Sequence, residues 1–310
     1  MRQWIALLFC VTAAQHESWS KQWRCTDRDN ETACLDVSTC RKGAARRRAI
    51  VSVFDAHVAL PRSAVALKAT VAAAARRAGA ECVFLLPAEQ LRRVDVDASA
   101  LADLAAAGVL VREVPWIVPP HLSPGVPVES GGCCGLCCGA REFMKLHALG
   151  LQEYDAVLVV DNDFAPAGPW SDFGPLFDCA AEGRLLTTRA SYSAVNGALV
   201  AAPPSAALLA ELLGALATAT VGDDGWGDAH SWGPFRKARS RVTQARVQGF
   251  LYWYYHQRGV ATALDARQVD ACVWNLQRGI AKRLCRDDIR ANRTVGFSHA
   301  GLESFLKSCR

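Results

Sequence analysis

The chain has 310 residues, of which 51% are hydrophobic, and it carries a formal net charge of +5 at pH 7. That length and apolar content are enough to bury a full hydrophobic core, in one large domain or in two smaller ones. The net charge is too small to indicate a nucleic-acid partner, so none is expected.

The first 14 residues have the pattern of a cleaved signal peptide. Arg2 precedes an apolar stretch over 4–14, and small residues at Ala13 and Ala14 offer a cleavage site. A transmembrane helix needs about twenty apolar residues, so this stretch is too short to span a membrane, and no other segment is long enough. We therefore expect no transmembrane span and a location in the secretory pathway, in the ER or Golgi lumen or outside the cell.

The chain contains 13 cysteines, more than a reducing cytosol usually holds without a metal role. Cys10 would leave with the signal peptide, and the others are an even number available for disulfides. Acceptor sequons at Asn30 and Asn292 fit a glycoprotein of the same compartment. Connectivity cannot be derived from sequence, least of all for the clustered Cys133, Cys134, Cys137 and Cys138. We expect disulfides to distant partners there, with a zinc site or a redox pair as alternatives.

Residues 15–47 form a cysteine-containing N-terminal extension with few aliphatic side chains, and a different pattern begins at residue 48. From there apolar runs alternate with helical segments, which predicts strands over 49–54, 82–86, 109–114 and 156–160. Helices are predicted over 63–78, 89–107 and 141–151, with Gly79 and Gly108 closing the first two. This alternation predicts an α/β fold with a mostly parallel central sheet flanked by helices.

The second half of the chain has a less regular pattern. It predicts a strand over 198–201, a helix over 205–217 and an aromatic helix over 243–257. Two long loops, over 115–139 and 221–240, are expected to carry the specificity of any binding site. In the second loop, Trp226 and Trp232 are equally compatible with a sugar-stacking face and with a structural role.

Two carboxylates follow the most hydrophobic predicted strand. The run 156–160 ends in Asp161, Asn162 and Asp163, at the carboxyl edge where open α/β sheets bind ligands. Because strand side chains alternate, Asp161 and Asp163 are expected on one side, with Asn162 turned away. Two carboxylates aimed at one point favour a bound cation, and hard oxygen ligands suit Mn²⁺ or Mg²⁺. The simpler alternative is a solvated start of a loop.

Further polar residues recur at the starts and ends of predicted elements. Arg141 and Lys145 stand four residues apart on a predicted helix, so they would share a face and meet one anion. Asn196 precedes Gly197 and an apolar strand, and Gln248 precedes a glycine and an aromatic run. His299 stands close to the C-terminus and could be a third metal ligand. Each has a structural alternative: a solvated basic stripe, a tight turn, a core helix or a structural histidine.

The order of these features resembles the glycogenin-like family 8 glycosyltransferases. The local match runs from Lys145 through Tyr154 and the hydrophobic strand to Asp161 and Asp163. The resemblance covers roughly residues 48–308 and leaves out the N-terminal extension and the cysteine cluster. It implies a GT-A type nucleotide-diphospho-sugar transferase fold, with a nucleotide-binding half over about 48–165 and an acceptor half over about 166–310.

The activity that the resemblance implies is retaining transfer of a hexose from a UDP-sugar to a glycan or protein acceptor, assisted by Mn²⁺ or Mg²⁺. By position, Asp161, Asp163 and His299 would hold the metal. Asn196 and Gln248 would be the catalytic residues facing the donor sugar.

The same resemblance implies a set of nucleotide-binding positions. Phe54 and Asp55, at the end of the first strand, would border the uridine. Lys145, Gly301 and Lys307 would contact the diphosphate, together with the metal ligands.

The sequence departs from the family pattern at two places. Val247 stands where relatives carry an acidic residue before the Gln-Gly pair, and the tail lacks the usual Lys-Pro-Trp after His-x-Gly. These departures leave open a secreted, non-catalytic lectin or a pseudo-glycosyltransferase that binds without turnover. A glycoside hydrolase is a third hypothesis, but Asp161 and Asp163 stand too close together to lie on opposite sides of a glycosidic bond.

Overall fold

The structure is a computed structural model that describes residues 25, 34–53, 62–88, 98–117, 140–162, 164–166, 172–190, 193–222, 225–226, 247–257, 264–276, 285 and 296–299. The expected signal peptide and the cysteine cluster over 133–138 lie outside the described residues. Within these ranges, no helix is both long enough and apolar enough to cross a membrane.

The described strands are β1 Arg48–Val53, β2 Glu81–Pro87, β3 Val109–Val114, β4 Ala156–Val160, β5 Phe164–Pro166, β6 Arg184–Ala190, β7 Ser193–Ala202, β8 Val221–Gly222, β9 Gly225–Trp226, β10 Asp265–Gln268, β11 Asn275–Leu276 and β12 Phe297–His299. The α-helices are α1 Arg62–Arg77, α2 Ala98–Ala106, α3 Gly174–Ala181, α4 Ala206–Thr218, α5 Val247–Tyr252 and α6 Ala271–Trp274. A 3₁₀ helix spans Ala140–Gly150, and a π-helical turn at Trp253–Gln257 continues α5.

Seven of the described strands form the central sheet, in the order β10-β6-β7-β4-β1-β2-β3. The pairings β1–β2, β1–β4, β2–β3 and β6–β10 are parallel, while β7 runs antiparallel to both β4 and β6. The predicted α/β class, with a mostly parallel sheet flanked by helices, is confirmed. Outside this sheet, β5, β11 and β12 form a three-stranded sheet and β8 pairs with β9.

The order of the strands reverses at β1. From β1 the chain moves outward to β2 and then β3, and it returns past the 3₁₀ helix to β4 on the other side of β1. In open α/β sheets, ligands bind in the crevice at such a reversal, outside the carboxyl ends of the strands. The expected binding edge therefore lies where β1 ends at Val53 and β4 ends at Val160.

Both faces of the sheet are covered at its centre, so the central strand β4 is apolar and buried on both sides. On β4, Val157 and Val159 face the core beneath the 3₁₀ helix, α4 and α5. Ala156, Leu158 and Val160 face the second core, beneath α1, α2 and α3. Asp161 continues the alternation of Val157 and Val159, and this places it on the side of the 3₁₀ helix.

Two local predictions meet different outcomes. Gly79 and Gly108 have φ of 64° and 76°, the left-handed conformation that glycine adopts without strain, directly after α1 and α2. The prediction that they close helices is confirmed. The segment predicted as an α-helix over 141–151 is instead a 3₁₀ helix. The predicted helix type is therefore wrong, while the side chain of Arg141 lies outside the description and its shared face with Lys145 stays a prediction.

A disulfide and a buried carboxylate hold the N-terminal extension against α3. Cys40 is bonded to Cys179, and the Asp178 carboxylate accepts hydrogen bonds from the backbone N–H groups of Gly43 at 2.9 Å and Ala45 at 3.3 Å. Asp178 also pairs with Arg48 at 2.9 Å. The extension is thus anchored to the sheet domain at the end opposite the binding edge, since Arg48 begins β1.

The other described cysteines are paired or buried. Disulfides join Cys25 to Cys34 and Cys272 to Cys285. Cys82, on β2, is a free and buried thiol, and desolvation raises its pKa to about 11, so it stays protonated and unreactive at neutral pH.

Candidate functional site

Asp161 is the first residue after β4, and its carboxylate forms an ion pair with the ammonium of Lys145 on the 3₁₀ helix. The Lys145 side chain is 8% exposed and the Asp161 side chain 28% exposed. The backbone N–H of Asp161 donates to the carbonyl of Ala198 on β7 at 3.3 Å, which fixes the start of the turn. A largely buried cation and a partly exposed carboxylate therefore meet at the carboxyl end of β4.

Asn162 turns the other way and joins the ends of two neighbouring strands. Its side-chain amide Nδ2 donates a hydrogen bond to the carbonyl of Val53, the last residue of β1. Asp161 and Asn162 thus project in different directions, Asp161 towards the 3₁₀ helix and Asn162 towards β1. Phe54 and Asp55, the predicted uridine border, follow Val53 in the chain but lie outside the described residues.

The position of His299 relative to this turn is set by a short pair of strands. β12 runs antiparallel to β5, with His299 opposite Phe164, and the N–H of Phe164 donates to the carbonyl of Asp161 at 3.3 Å. The backbone of His299 therefore lies beside the residue that follows Asp163. Asp163 itself and the side chain of His299 lie outside the description, as do the predicted diphosphate contacts Gly301 and Lys307.

Asn196 lies on β7, and only one of its two side-chain polar groups has a partner among the described residues. Its side chain is buried, with the residue 3% exposed, and its Oδ1 accepts a hydrogen bond from the backbone N–H of Ala198 at 2.9 Å. Because that N–H can only donate, the oxygen must face Ala198, and this fixes the orientation of the amide. The Nδ2 group is buried and has no partner among the described residues. An unmade buried hydrogen bond costs about 1–3 kcal/mol, so a ligand acceptor here would be favoured.

Gln248 packs directly against the same strand. The backbone N–H of Gly197 approaches the Oε1 of Gln248 at 3.5 Å, the upper limit of a hydrogen bond. A β carbon added at Gly197 would lie 3.2 Å from the side chain of Val247 and 3.3 Å from that of Gln248. A larger residue at Gly197 would therefore force Val247 and Gln248 to shift by a few tenths of an ångström. Two segments predicted separately from the sequence, around Asn196 and Gln248, are neighbours in the fold.

A cavity joins the 3₁₀ helix, β4, β7 and α5. Its lining residues are mostly aliphatic and include one cation: Lys145, Leu146, Leu149, Val159, Gly197, Val200, Val247 and Leu251. Val247 is 1% exposed and belongs to the core on this side of the sheet. The residue that stands in the place of the family's acidic side chain thus shares a cavity with Lys145.

Arg189 is a site candidate that the sequence reasoning missed. It lies on β6 and is 7% exposed, and its neighbour Thr188 pairs with Asn196 on β7. Burial lowers the pKa of Arg189 to about 10, opposed by the nearby Tyr252. The guanidinium is still charged at neutral pH, so a desolvated cation lies near Tyr252. The available signal was an arginine within a run of apolar and β-branched residues, but β6 itself was not predicted.

The aromatic residues belong to the core of the protein. Trp226 is fully buried and packs edge-on against Phe143 at 5.6 Å and Phe250 at 5.2 Å between ring centroids. Trp226 is therefore a structural residue and not a sugar-stacking face, whereas Trp232 lies outside the described residues. Tyr254 and Tyr255 are also buried, as the core interpretation of the aromatic helix predicts.

The described residues supply part of what a divalent cation needs. Among them, no three His, Cys, Asp or Glu side chains come together as a metal site. Asp161 supplies a partly exposed carboxylate oxygen of the type that Mn²⁺ and Mg²⁺ prefer. The backbone register places His299 opposite Phe164, the residue that follows Asp163 in the chain. These features are compatible with a cation at the turn after β4.

Comparison with known proteins identifies no family for the chain. No protein-family model and no curated protein matches the sequence. The galactosyltransferase LgtC, crystallised with donor and acceptor sugar analogues, matches with a TM-score of 0.41 at 14% identity, over 82% of this chain and 87% of that one. The apo form of the glycosyltransferase GlyE from Streptococcus pneumoniae TIGR4 matches with a TM-score of 0.40 at 13% identity, over 82% of this chain and 54% of that one. At TM-scores this low, the similarities do not determine what this protein does.

Proposed function

We propose that the protein is a retaining glycosyltransferase of GT-A type that transfers a hexose from a UDP-sugar to a glycan or protein acceptor. One observation carries the proposal: polar groups that the chain order keeps far apart meet at the carboxyl edge where the strand order reverses. They are the ion pair of Lys145 with Asp161, the buried Nδ2 group of Asn196, which has no partner among the described residues, and Gln248, which lies against the adjacent Gly197. A pair of charged side chains near two amide side chains suits a ligand that carries both a diphosphate and a sugar.

In this proposal Asp161, Asp163 and His299 hold Mn²⁺ or Mg²⁺ at the turn after β4. The metal, when bound, supplies Lewis-acid stabilisation of the charge that develops on the departing diphosphate. Lys145 adds a second positive charge from the 3₁₀ helix, and its low exposure strengthens its electrostatic effect.

The uridine and the rest of the diphosphate occupy positions that the structure does not describe. Phe54 and Asp55 follow β1 and border the uridine in this proposal, because β1 and β4 are neighbours at the reversal. Gly301 and Lys307 follow β12 in the chain and contact the diphosphate in this proposal.

Asn196 and Gln248 act on the donor sugar. The Nδ2 of Asn196 donates to a sugar hydroxyl, which satisfies its buried N–H. An amide is a poor nucleophile, so Gln248 positions the sugar and no covalent sugar–enzyme intermediate forms. The acceptor hydroxyl oxygen bonds to the anomeric carbon as the bond from that carbon to the diphosphate oxygen breaks. The departing phosphate oxygen takes the acceptor proton on the same face, which retains the configuration.

A panel of UDP-sugars with Mn²⁺ tests the proposal by measuring UDP release. A matched pair of variants at the two ends of β4 identifies the site. Asp161→Asn should lower the rate about a hundredfold or more, since it removes charge stabilisation at the leaving group. Asp155→Asn should leave the rate unchanged, because Asp155 binds the backbone N–H groups of Arg46 and Arg47 at the opposite end of the strand. An Asp163→Ala protein that releases UDP at the wild-type rate would refute the site assignment.

Binding without turnover is the second candidate, favoured by the burial of Val247. Its side chain is aliphatic where an acidic residue would contact the sugar, and it lines an apolar cavity. Isothermal titration separates the two candidates. Metal-dependent UDP binding with no transfer to any acceptor indicates a pseudo-glycosyltransferase, and sugar binding without UDP indicates a lectin.

The compartment and the partners follow from the same proposal. Disulfides such as Cys40–Cys179 are compatible with a lumenal or secreted protein. The acceptor is a glycan or glycoprotein that docks near the loops over 115–139 and 221–240. Endoglycosidase sensitivity and immunolocalisation of the expressed protein would test the proposed lumenal or secreted location.

A further inference from the structure

The ammonium of Lys145 lies in a place where a cation needs a negative partner. Its side chain is 8% exposed on a 3₁₀ helix whose neighbouring Met144 and Leu146 are core residues, and it borders an aliphatic cavity. Burying an ammonium is costly unless it is paired and hydrogen-bonded. The carboxylate of Asp161 supplies such a partner in the structure.

The carboxylate of Asp161 cannot bind the Lys145 ammonium and a divalent metal ion equally well at the same time. A divalent ion bound to Asp161 would lie close to the Lys145 ammonium, and like charges at such short distances repel strongly when one of them is buried. Binding of the ion alone must therefore work against the ion pair. A diphosphate changes the balance, because it offers Lys145 new negative oxygens at the moment when the metal takes Asp161.

We propose that Lys145 is an exchange residue that neutralises Asp161 in the free protein and moves to the donor diphosphate when a divalent cation occupies Asp161. The inference rests on the proposed function and adds a regulatory property to that site: cation and nucleotide each bind weakly alone and promote each other's binding. Coupling between two ligands is reciprocal, so each should raise the affinity of the other by the same factor. Coupling of this kind typically amounts to about 5- to 150-fold.

Direct titration of Mn²⁺ into the full-length protein, with and without UDP, tests the exchange without any measurement of activity. In the wild type, UDP should raise the Mn²⁺ affinity about tenfold or more. In Lys145→Met, which keeps an unbranched side chain in an aliphatic setting, the Mn²⁺ affinity without UDP should rise about tenfold. The enhancement by UDP should then shrink to about twofold, because the variant has no lysine to release.

Arg47→Met is the matched control. It also removes one positive charge and one ion pair, since the guanidinium of Arg47 lies 3.5 Å from the carboxylate of Asp155, the residue before β4. Its Mn²⁺ affinity and its coupling to UDP should equal those of the wild type. A rise in Mn²⁺ affinity in both variants would attribute the effect to net charge and would overturn the exchange.

Lys145→Arg provides an independent test if the methionine variant does not fold. A guanidinium pairs with a carboxylate through two hydrogen bonds, so it should hold Asp161 more firmly than an ammonium does. The Mn²⁺ affinity without UDP should then fall below that of the wild type, by about threefold or more.

The outcomes separate this inference from the proposed function. If wild-type protein binds neither Mn²⁺ with UDP nor UDP alone, both fail. If it binds them together but Lys145→Met binds Mn²⁺ no more tightly without UDP, the proposed function stands and the exchange fails. In that case Lys145 positions Asp161 as a metal ligand and does not compete for it.

Discussion

Replacing Asn196 with alanine gives a test in which stability and ligand binding should respond differently. The substitution removes the hydrogen bond from the N–H of Ala198 to Oδ1 and leaves that buried N–H unpaired, at a cost of about 1–3 kcal/mol. It also removes the buried Nδ2, which has no partner among the described residues and whose burial costs a similar amount. The two terms oppose each other, so the free energy of unfolding should change by about 1 kcal/mol or less.

Ligand binding should change selectively in the same variant. If Nδ2 donates to a sugar hydroxyl, Asn196→Ala loses one hydrogen bond, which corresponds to about a threefold to tenfold weaker affinity for the UDP-hexose. The affinity for UDP alone should not change, because UDP lacks the hexose whose hydroxyl Nδ2 would bind. Urea unfolding with disulfides intact gives the first quantity, and titration calorimetry with UDP and UDP-hexose gives the second.

Thr187→Val is a suitable control for this experiment. It replaces a buried hydroxyl that, like the Asn196 Nδ2, has no partner among the described residues, by a side chain of the same shape on the neighbouring strand β6. It should keep or raise stability and leave the ratio of the two affinities unchanged. The reasoning is refuted if Asn196→Ala loses more than about 3 kcal/mol of stability while the UDP-hexose to UDP affinity ratio equals that of the wild type.

Three further substitutions test the structure elsewhere. Burial lowers the pKa of His147, whose Nε2 contacts the carbonyl of Pro115 at 2.7 Å, so the folded state binds the proton less readily than the unfolded state. Its contribution to the free energy of unfolding is therefore full above the unfolded pKa and is lost as the pH falls below about 6.5. The melting temperature of the wild type should therefore fall more than that of His147→Gln between about pH 7.5 and 5. Gly296→Ala should cost about 3 kcal/mol or more by urea unfolding, because its β carbon would overlap the backbone of Trp274. Cys40→Ser breaks a disulfide between residues 139 apart and should cost about 2–5 kcal/mol by thermal unfolding.

Each of these predictions has a clear contrary result. If the melting temperatures of wild type and His147→Gln changed equally with pH, the imidazole would have the same pKa in the folded and unfolded states. A Gly296→Ala protein with wild-type stability would mean that β12 does not approach α6 as closely as described. An unchanged melting temperature of Cys40→Ser would mean that the extension is not anchored through α3.

The first half of the fold was predictable because its signals are local. β1, β2, β3 and β4 are apolar runs bounded by turns, and the ends of α1 and α2 carry glycines at positive φ. By contrast, β6 contains two threonines and two arginines, while β5 and β12 have three residues each. Such strands are too polar or too short for periodicity, and they exist because a neighbouring strand pairs with them.

In the candidate site too, features set by neighbouring residues could be predicted, and features set by tertiary packing could not. The position of Asp161 after a buried strand could be derived from the sequence, since a hydrophobic run and an acidic stop are contiguous. The burial of Arg189 could not be derived, because its strand was not recognised. The core role of Trp226 could not be derived either, since an aromatic residue in a polar loop gives no local sign of what covers it.

The amino-acid order by itself determined the alternation of strands and helices and the acidic turn at the edge of the sheet, because neighbouring residues specify both. Only the tertiary structure decided that Lys145 pairs with Asp161, that Gln248 lies against Gly197 and that Cys40 bonds Cys179. Those contacts join segments far apart in the chain. The packing of the whole sheet and its helices selects these partners, and a short stretch of sequence does not specify that packing.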